Sequence, residues 1–375
     1  MTGPDINMGP SLYIHIPFCK SKCFYCSFAS FEKIDSLIGP YLEALKKEAQ
    51  TYSGTPISTV YVGGGTPSYL SSSQIGVLFD IVRSNFEVAK DAEVTVEMNP
   101  ATLARDKAKA IFDSGVNRAS LGVQSLNDGY LRFLGRPHSA ADAYASFKEL
   151  RDAGFTNINL DLIYSLPGQT KKEIEEDVAG LVSFGSEHIS LYTLSIAEGS
   201  DLHRRNIEPP GDEEQGQDYL FVSQSLEHRG FSRYEVSNFS RPGYACTHNL
   251  NYWRGGDYIG LGVGAHSHMN GRRYWNSGTV EAYLEMMSKN GSALAGQEEL
   301  AQEKRFMETL LIGLRLSEGV DVADLQERFE VVLPKDKKYT VDGLIEEGLL
   351  SLEDGRLKAT LSGLVVLDEI CARLI

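Results

Sequence analysis

The sequence predicts an α/β protein made of parallel βαβ units, followed by a smaller α+β module at the C-terminal end. Three features carry this prediction. About six β-rich runs alternate with helical stretches through the first half of the chain, the pattern of strands joined by crossover helices. Polar and glycine-rich residues fall at the C-terminal ends of five of those runs, the face on which βα architectures build their sites. Beyond residue 298 the alternation gives way to helix, turn, helix and hairpin.

Taken in order, a first strand over residues 12–16 runs directly into Cys19, Cys23 and Cys26. A helix over 37–52 follows, because Leu37, Tyr41, Leu42, Leu45 and Ala49 share one helical face. The run 57–66 is β-rich and ends in Gly63, Gly64, Gly65 and Thr66. Further strands are expected at 93–97, 118–123, 157–163 and 188–194, separated by helices that end near 114 or span 140–153 and 171–184. Past these strand ends lie the cysteines, the glycine run, Glu97 with Asn99 and Pro100, Gln124 with Ser125, and Asp161. Each alone reads as a tight turn or a helix N-cap. Five together at one end of a sheet point to a barrel-like mouth, although periodicity does not separate a barrel from an open doubly wound sheet.

Next come a helix over 211–229 and a strand over 232–236, placed to extend the sheet edge. Residues 244–276 gather His248, Trp253, His266, His268 and Trp275 around a glycine-rich run at 260–265. A heme site needs an axial imidazole or thiolate and flat apolar walls. This stretch offers both; the plainer reading is a hydrogen-bonded histidine beside core tryptophans. In the tail, Phe306, Leu310, Leu311, Leu314 and Leu316 mark a helix, with two more at 322–329 and 340–347 and a hairpin over 349–357 turning at Asp354 and Gly355. Glu318, Asp321, Asp324, Glu346 and Glu347 deny this module a basic DNA-binding face. The expected organisation is a tail over 1–10, a barrel over 11–230, an extension over 231–297 and a C-terminal module over 298–375.

Composition narrows the function. A net charge of −15 and a pI near 5.1 disfavour sequence-independent nucleic-acid binding, which relies on cations neutralising phosphates. Five cysteines, three of them clustered, are no disulfide framework and suit a reducing compartment. Neither a signal-peptide pattern nor an apolar run of membrane-spanning length is present, so a cytoplasmic location is expected.

The cysteines are the focus. Their C-x3-C-x2-C spacing lets three thiolates converge from one loop, and thiolates select zinc and iron–sulfur clusters. A structural zinc site closes with four ligands, whereas a cubane on three cysteines leaves one iron open. A zinc knuckle completed by His15, or three unligated thiols, are the alternatives.

The cysteine loop, Gly63 to Pro67, Glu97 to Pro100, Gly122-Val-Gln-Ser125 and Asp161 to Gln169 resemble, in order, the motifs of radical S-adenosylmethionine (SAM) enzymes. More narrowly they are similar to the HemN/HemW group. The resemblance runs from about residue 11 to the C-terminus. It implies a partial (β/α)6 barrel with a [4Fe–4S] cluster on Cys19, Cys23 and Cys26, and SAM on its fourth iron. By the same resemblance Tyr13, Tyr25, Gly64, Gly65, Thr66, Glu97, Gln124, Arg136 and Asp161 contact SAM, and the tail is winged-helix-like; Gln124, Arg136 and Asp161 align with contacts of which some reach a second SAM in HemN, so the resemblance leaves open one SAM molecule or two.

Two branches of this group differ in function. The oxygen-independent coproporphyrinogen III oxidase branch carries a further cysteine two positions after the third cluster cysteine, where this sequence has Phe28, and a longer segment before the motif, where only eighteen residues precede Cys19. Thr247-His-Asn-Leu-Asn-Tyr-Trp253 contains the His-Asn-x-x-Tyr-Trp pattern of the heme-chaperone branch. The resemblance therefore implies a heme carrier, with His248 as iron ligand and Tyr252 and Trp253 in the pocket wall; Cys246, His266 and His268 compete with His248. The expected partners are heme, a heme-acceptor protein and, through such an acceptor, a membrane surface. Oxidative decarboxylation of coproporphyrinogen III is the alternative function.

Overall fold

The computed structural model describes residues 9–375, so most of the tail expected over 1–10 lies outside the described residues. Six parallel strands form the centre: β1 (Ser11–Ile16), β2 (Thr55–Gly64), β3 (Phe86–Met98), β4 (Arg118–Gln124), β5 (Ile158–Tyr164) and β6 (His188–Thr193). They lie side by side in chain order. All six expected strands are present. One starts earlier than expected, because Phe86 to Val88 pair with Thr55 to Ile57 before a register shift.

The alternation of side chains along these strands separates two environments. Leu12, Ile14, Ile16, Val60, Val62, Val96, Leu121, Leu160 and Leu162 are buried in the main hydrophobic core. The helices Ile38–Gln50, Ser72–Asn85, Ala140–Ala153 and Lys171–Ser183 contribute their apolar residues to the same core. Helix starts are locked by side chains: Ser71, Ser139 and Thr170 each form a capping box with the residue three positions on, each worth about 1 kcal/mol. The opposite sheet face is polar. Tyr61, Glu97, Arg118, Ser120, Asn159, Asp161 and Ser190 line an internal cavity bounded by β2 through β6, so the strands curve around a partly closed barrel.

The sheet does not stop at six strands. At one end a short hairpin, β7 (Ser232–Arg233) and β8 (Asn238–Ser240), adds to β6; the expected strand at 232–236 is thus a hairpin. At the other end β9 (Tyr258–Leu261) pairs parallel with β1, and β10 (His266–Met269), β11 (Arg272–Asn276) and β12 (Leu294–Glu299) continue antiparallel. The result is one open twelve-stranded sheet.

The C-terminal module has its own core, built on Phe306, Leu310, Leu325, Phe329, Leu344, Leu350 and Leu357. Its order is helix Gln302–Gly313, β13 (Val320–Asp321), helices Val322–Phe329 and Lys335–Glu346, then β14 (Leu350–Glu353) and β15 (Arg356–Ala359), with β15 between the other two strands. That is a winged-helix arrangement. Its third helix begins five residues earlier than expected, just after Pro334, which sits at the N-cap. The Arg254–Glu318 ion pair and the hydrogen bond from Ser317 N to Tyr234 O tie the module to the barrel.

Candidate functional site

The C-terminal ends of the strands meet the cysteine loop. Phe18–Cys19 pairs in parallel with Phe31–Glu32, closing the loop between them. Phe24 anchors it: its backbone N–H donates to Leu134 O, its carbonyl accepts from Leu202 N, and the Arg205 guanidinium lies 4.2 Å from its ring centroid. Cys19, Cys23 and Cys26 therefore all face one cavity of about 380 Å³. Each sulfur has a polar neighbour. Thr66 Oγ1 is 3.3 Å from Cys19 Sγ, Ser30 Oγ is 3.6 Å from Cys26 Sγ, and Arg136 Nη1 donates to Cys23 Sγ at 3.3 Å. Arg136 is held by Gly122 O through its other nitrogen at 2.8 Å. Among the described residues no three histidine, cysteine or acidic side chains lie close enough together to hold a single metal ion. His15 is engaged elsewhere, with Tyr13 Oη at 3.0 Å and Ala29 O at 2.8 Å, so a zinc knuckle completed by His15 has no support. The donor set fits a multinuclear iron–sulfur group on three thiolates.

The glycine turn is pinned from three sides. A Cβ at Gly63 would lie 2.9 Å from the Glu97 carboxyl, one at Gly64 2.4 Å from the His15 ring, and one at Gly65 2.8 Å from Ile16 O. The turn packs onto the cysteine loop through Gly65 N to Ile16 O and Thr66 N to Phe18 O. Glu97 accepts from Tyr61 Oη at 2.9 Å and from Gly64 N at 3.1 Å. Burial, with Asp161 nearby, pushes its carboxyl up to about 7. Burial also raises Asp161, against the pull of Asn159, which donates to it at 2.8 Å. Gln124 has a left-handed φ of +70° at a register shift in β4, a strain of the kind stored at binding sites. Asp177 secures the following loop by accepting from Ser125 Oγ and Leu126 N, both at 2.8 Å.

Eight of the nine expected SAM residues, Tyr25, Gly64, Gly65, Thr66, Glu97, Gln124, Arg136 and Asp161, line this cavity with the cysteines. Tyr13 does not. It faces a second cavity of about 540 Å³, bordered also by His15, Tyr61, Tyr252, Tyr258, His248 and His266. Ser27, Phe28, Tyr61 and Asn249 border both, so the two are adjoining lobes of one interior. Sequence reasoning missed Arg118, which is 2% exposed and lines the first lobe with its Nε unpaired. The signal was present in the alternation of Arg118 and Ser120, Asn159 and Asp161, His188 and Ser190 along three strands.

His248 lies on a short helix, Thr247–Trp253, that plugs the interior. Glu93 caps it, accepting from Thr247 N at 3.1 Å and His248 N at 3.0 Å. His248 is 1% exposed, with Nδ1 2.8 Å from Thr59 Oγ1 and Nε2 3.0 Å from Tyr252 Oη. Burial lowers its pKa to about 3, so it is neutral. Both ring nitrogens are thus engaged inside the protein, and the ring fixes the plug helix to β2. Trp253 does not border either lobe. At a helix position one residue past Tyr252 it turns away from the second lobe, and the Arg315 guanidinium packs on it at 4.6 Å. Cys246 is fully buried, 3.1 Å from Glu93 Oε1, and His268 is 3.5 Å from Asp257; neither borders a lobe.

Residues 13–179 match the Radical SAM superfamily and residues 300–366 the HemN C-terminal domain. The heme chaperone HemW of Lactococcus lactis is 35% identical, the match covering 94% of this chain and 94% of that protein. The chain belongs to the HemW family. The HemW of Mycobacterium tuberculosis is 36% identical over 97% of this chain and 94% of its own length. Among solved structures the radical SAM enzyme coproporphyrinogen III oxidase (HemN) of Escherichia coli superposes with a TM-score of 0.85 at 24% identity, covering 98% of this chain and 91% of that one. This likeness establishes a common fold, and with it the partial barrel.

Proposed function

We propose that this HemW-family chain binds heme and passes it to acceptor proteins, with Cys19, Cys23 and Cys26 holding a [4Fe–4S] cluster and the polar lobe taking SAM. The observation that carries this reading is the pair of adjoining lobes. One is polar and faces three thiols; the other is walled by Tyr13, Tyr61, Tyr252 and Tyr258 and by three histidines. A flat apolar macrocycle with an iron suits the second lobe, and both volumes fall in the roughly 300–1,000 Å³ range of small-molecule sites.

When bound, a cluster with an open iron supplies one-electron chemistry toward SAM, which is the cofactors' own contribution. The chain's residues bind and orient. Glu97, poised near neutrality, is placed to accept a proton-bearing amine of SAM, and Asp161 suits hydroxyl groups of its ribose. Arg136 hydrogen-bonds Cys23, Thr66 hydrogen-bonds Cys19, and the strained Gln124 presents its amide to the lobe. The glycine turn lets a ligand approach the backbone closely.

Two features favour a carrier over an oxidase: Phe28 replaces the extra cysteine that the oxidase branch carries, and the His-Asn-x-x-Tyr-Trp segment forms the inner plug. Among the described residues no helix is long and apolar enough to cross a membrane. We place the chain in the cytoplasm, meeting membranes only through an acceptor. The test is a ferric heme titration in competition with a weak heme-binding protein, followed by mixing with a heme-free acceptor. Heme uptake and its delivery are expected; no binding under competition would remove the carrier reading and favour the oxidase.

A further inference from the structure

Three histidines border the second lobe, and two of them are spent. Both ring nitrogens of His15 and both of His248 are hydrogen-bonded inside the protein. They are also buried, at 6% and 1% exposure. Bringing either to an iron would break at least one buried hydrogen bond and strand its partner, at a cost of about 1–3 kcal/mol.

His266 is different. It is exposed at the edge of the lobe, on β10, and its ring stacks on Trp275 across the ladder with centroids 5.8 Å apart and planes 24° from parallel. Its imidazole is perturbed by partial burial and the charge of Arg273, and among the described residues neither nitrogen has a hydrogen-bonding partner. Burial and Arg273 both lower its pKa, which keeps the ring in the neutral form that binds metals. The backbone beneath it is fixed: a Cβ on Gly260, in the neighbouring strand, would meet His266 O at 2.0 Å. The ring is thus held in orientation by a tryptophan and a strand while its nitrogens stay free.

We propose that His266 is the axial ligand of the heme iron. This rests on the heme-carrier reading and adds which side chain reaches the metal. The chemistry of a carrier agrees with it. A ligand buried in the floor would trap its cargo, whereas one at the open edge, beside the 62%-exposed Phe28 that borders both lobes, leaves the iron within reach of an acceptor's own ligand. Release then becomes an exchange of one imidazole for another, with no change in the oxidation state of the iron.

The experiment is a titration of the full-length protein with ferric heme, read by Soret absorbance and electron paramagnetic resonance. The variants are His266→Ala, His266→Gln, His248→Ala and Cys246→Ser. His266→Ala and His266→Gln are expected to lose the imidazole-ligated spectrum and to weaken binding tenfold or more, and added imidazole should restore the spectrum in His266→Ala. Cys246→Ser, at a residue that borders neither lobe, should keep the wild-type spectrum if it folds, which circular dichroism checks; His248→Ala removes a wall residue and is expected to weaken binding while keeping imidazole ligation. An unchanged spectrum and affinity in both His266 variants would overturn the assignment while leaving the carrier reading intact. Loss of the spectrum in folded His248→Ala alone would return the role to His248. Absence of heme binding by the wild type would overturn both.

Discussion

Glu97 is a carboxylate the fold holds at a disadvantage. Its side chain sits against Tyr61 Oη and Gly64 N with Asp161 close by, and burial lifts its pKa from 4.5 to about 7. A group whose folded pKa exceeds its unfolded value binds its proton more tightly in the native state. Its stabilising contribution is full below about pH 4.5 and is lost as the pH rises through 7. At 1.36 kcal/mol per unit, that shift is worth about 3 kcal/mol.

The perturbation that isolates this is Glu97→Gln. The amide keeps an oxygen to accept one hydrogen bond, matches the volume and removes the charge. In protein free of cluster and SAM, denaturant unfolding at pH 5, 6, 7 and 8 should show the variant gaining on the wild type by about 1.4 kcal/mol per unit up to pH 7, reaching a plateau of about 3 kcal/mol. With the cluster reconstituted, the same variant should bind SAM less tightly, because the cationic part of the ligand loses its counter-charge. A stability difference that stays flat with pH, or a variant less stable at pH 8, would refute the reasoning.

Replacing Cys19, Cys23 or Cys26 by Ala should abolish the brown absorbance after anaerobic reconstitution; stoichiometric zinc without sulfide in anaerobically purified wild type would speak for the other metal. Gly64→Ala, which combines a φ of +106° with a 2.4 Å approach to the His15 ring, should lower stability by at least about 2 kcal/mol and reduce cluster yield, measured by melting temperature and iron content. No protoporphyrinogen IX should form from coproporphyrinogen III with cluster, SAM and reductant present. Product at multiple turnovers, seen by chromatography, would restore the oxidase reading.

Much of the architecture was legible because its signals are local. Strand ends were marked by glycine, proline and acid residues, and each of the five marked ends contributes to the same interior. Helix faces such as Tyr41, Leu42 and Leu45 were read from spacing alone. What escaped depends on distant partners. The helices Asp128–Phe133 and Val280–Asn290 were not anticipated, the first because it has only six residues. The outer half of β3 carries Glu87, Lys90, Asp91 and Glu93, so it does not read as a strand until its pairing with β2 is known. The surroundings of His248 were not legible either: Thr59, which hydrogen-bonds its ring, and Glu93, which caps its helix, come from more than 150 residues earlier.

The same sheet serves both lobes through one device, the polar inward-facing positions of its parallel strands. In most βα barrels the interior is filled by branched apolar side chains. Here β2 through β6 turn Tyr61, Glu97, Arg118, Ser120, Asp161 and Ser190 inward, and burying such groups without partners would cost several kcal/mol in total. The plug helix offsets part of that by bringing Asn249 and the His248 ring to the interior. The unpaired Nε of Arg118 and the raised carboxyls of Glu97 and Asp161 are what remains. Those residual charges face the cavity beside the thiols, so the polar lobe favours a ligand that carries charge of both signs. The tyrosine-lined lobe next to it has no charged side chain on its walls among the described residues, which is the environment that the proposed apolar cargo would need.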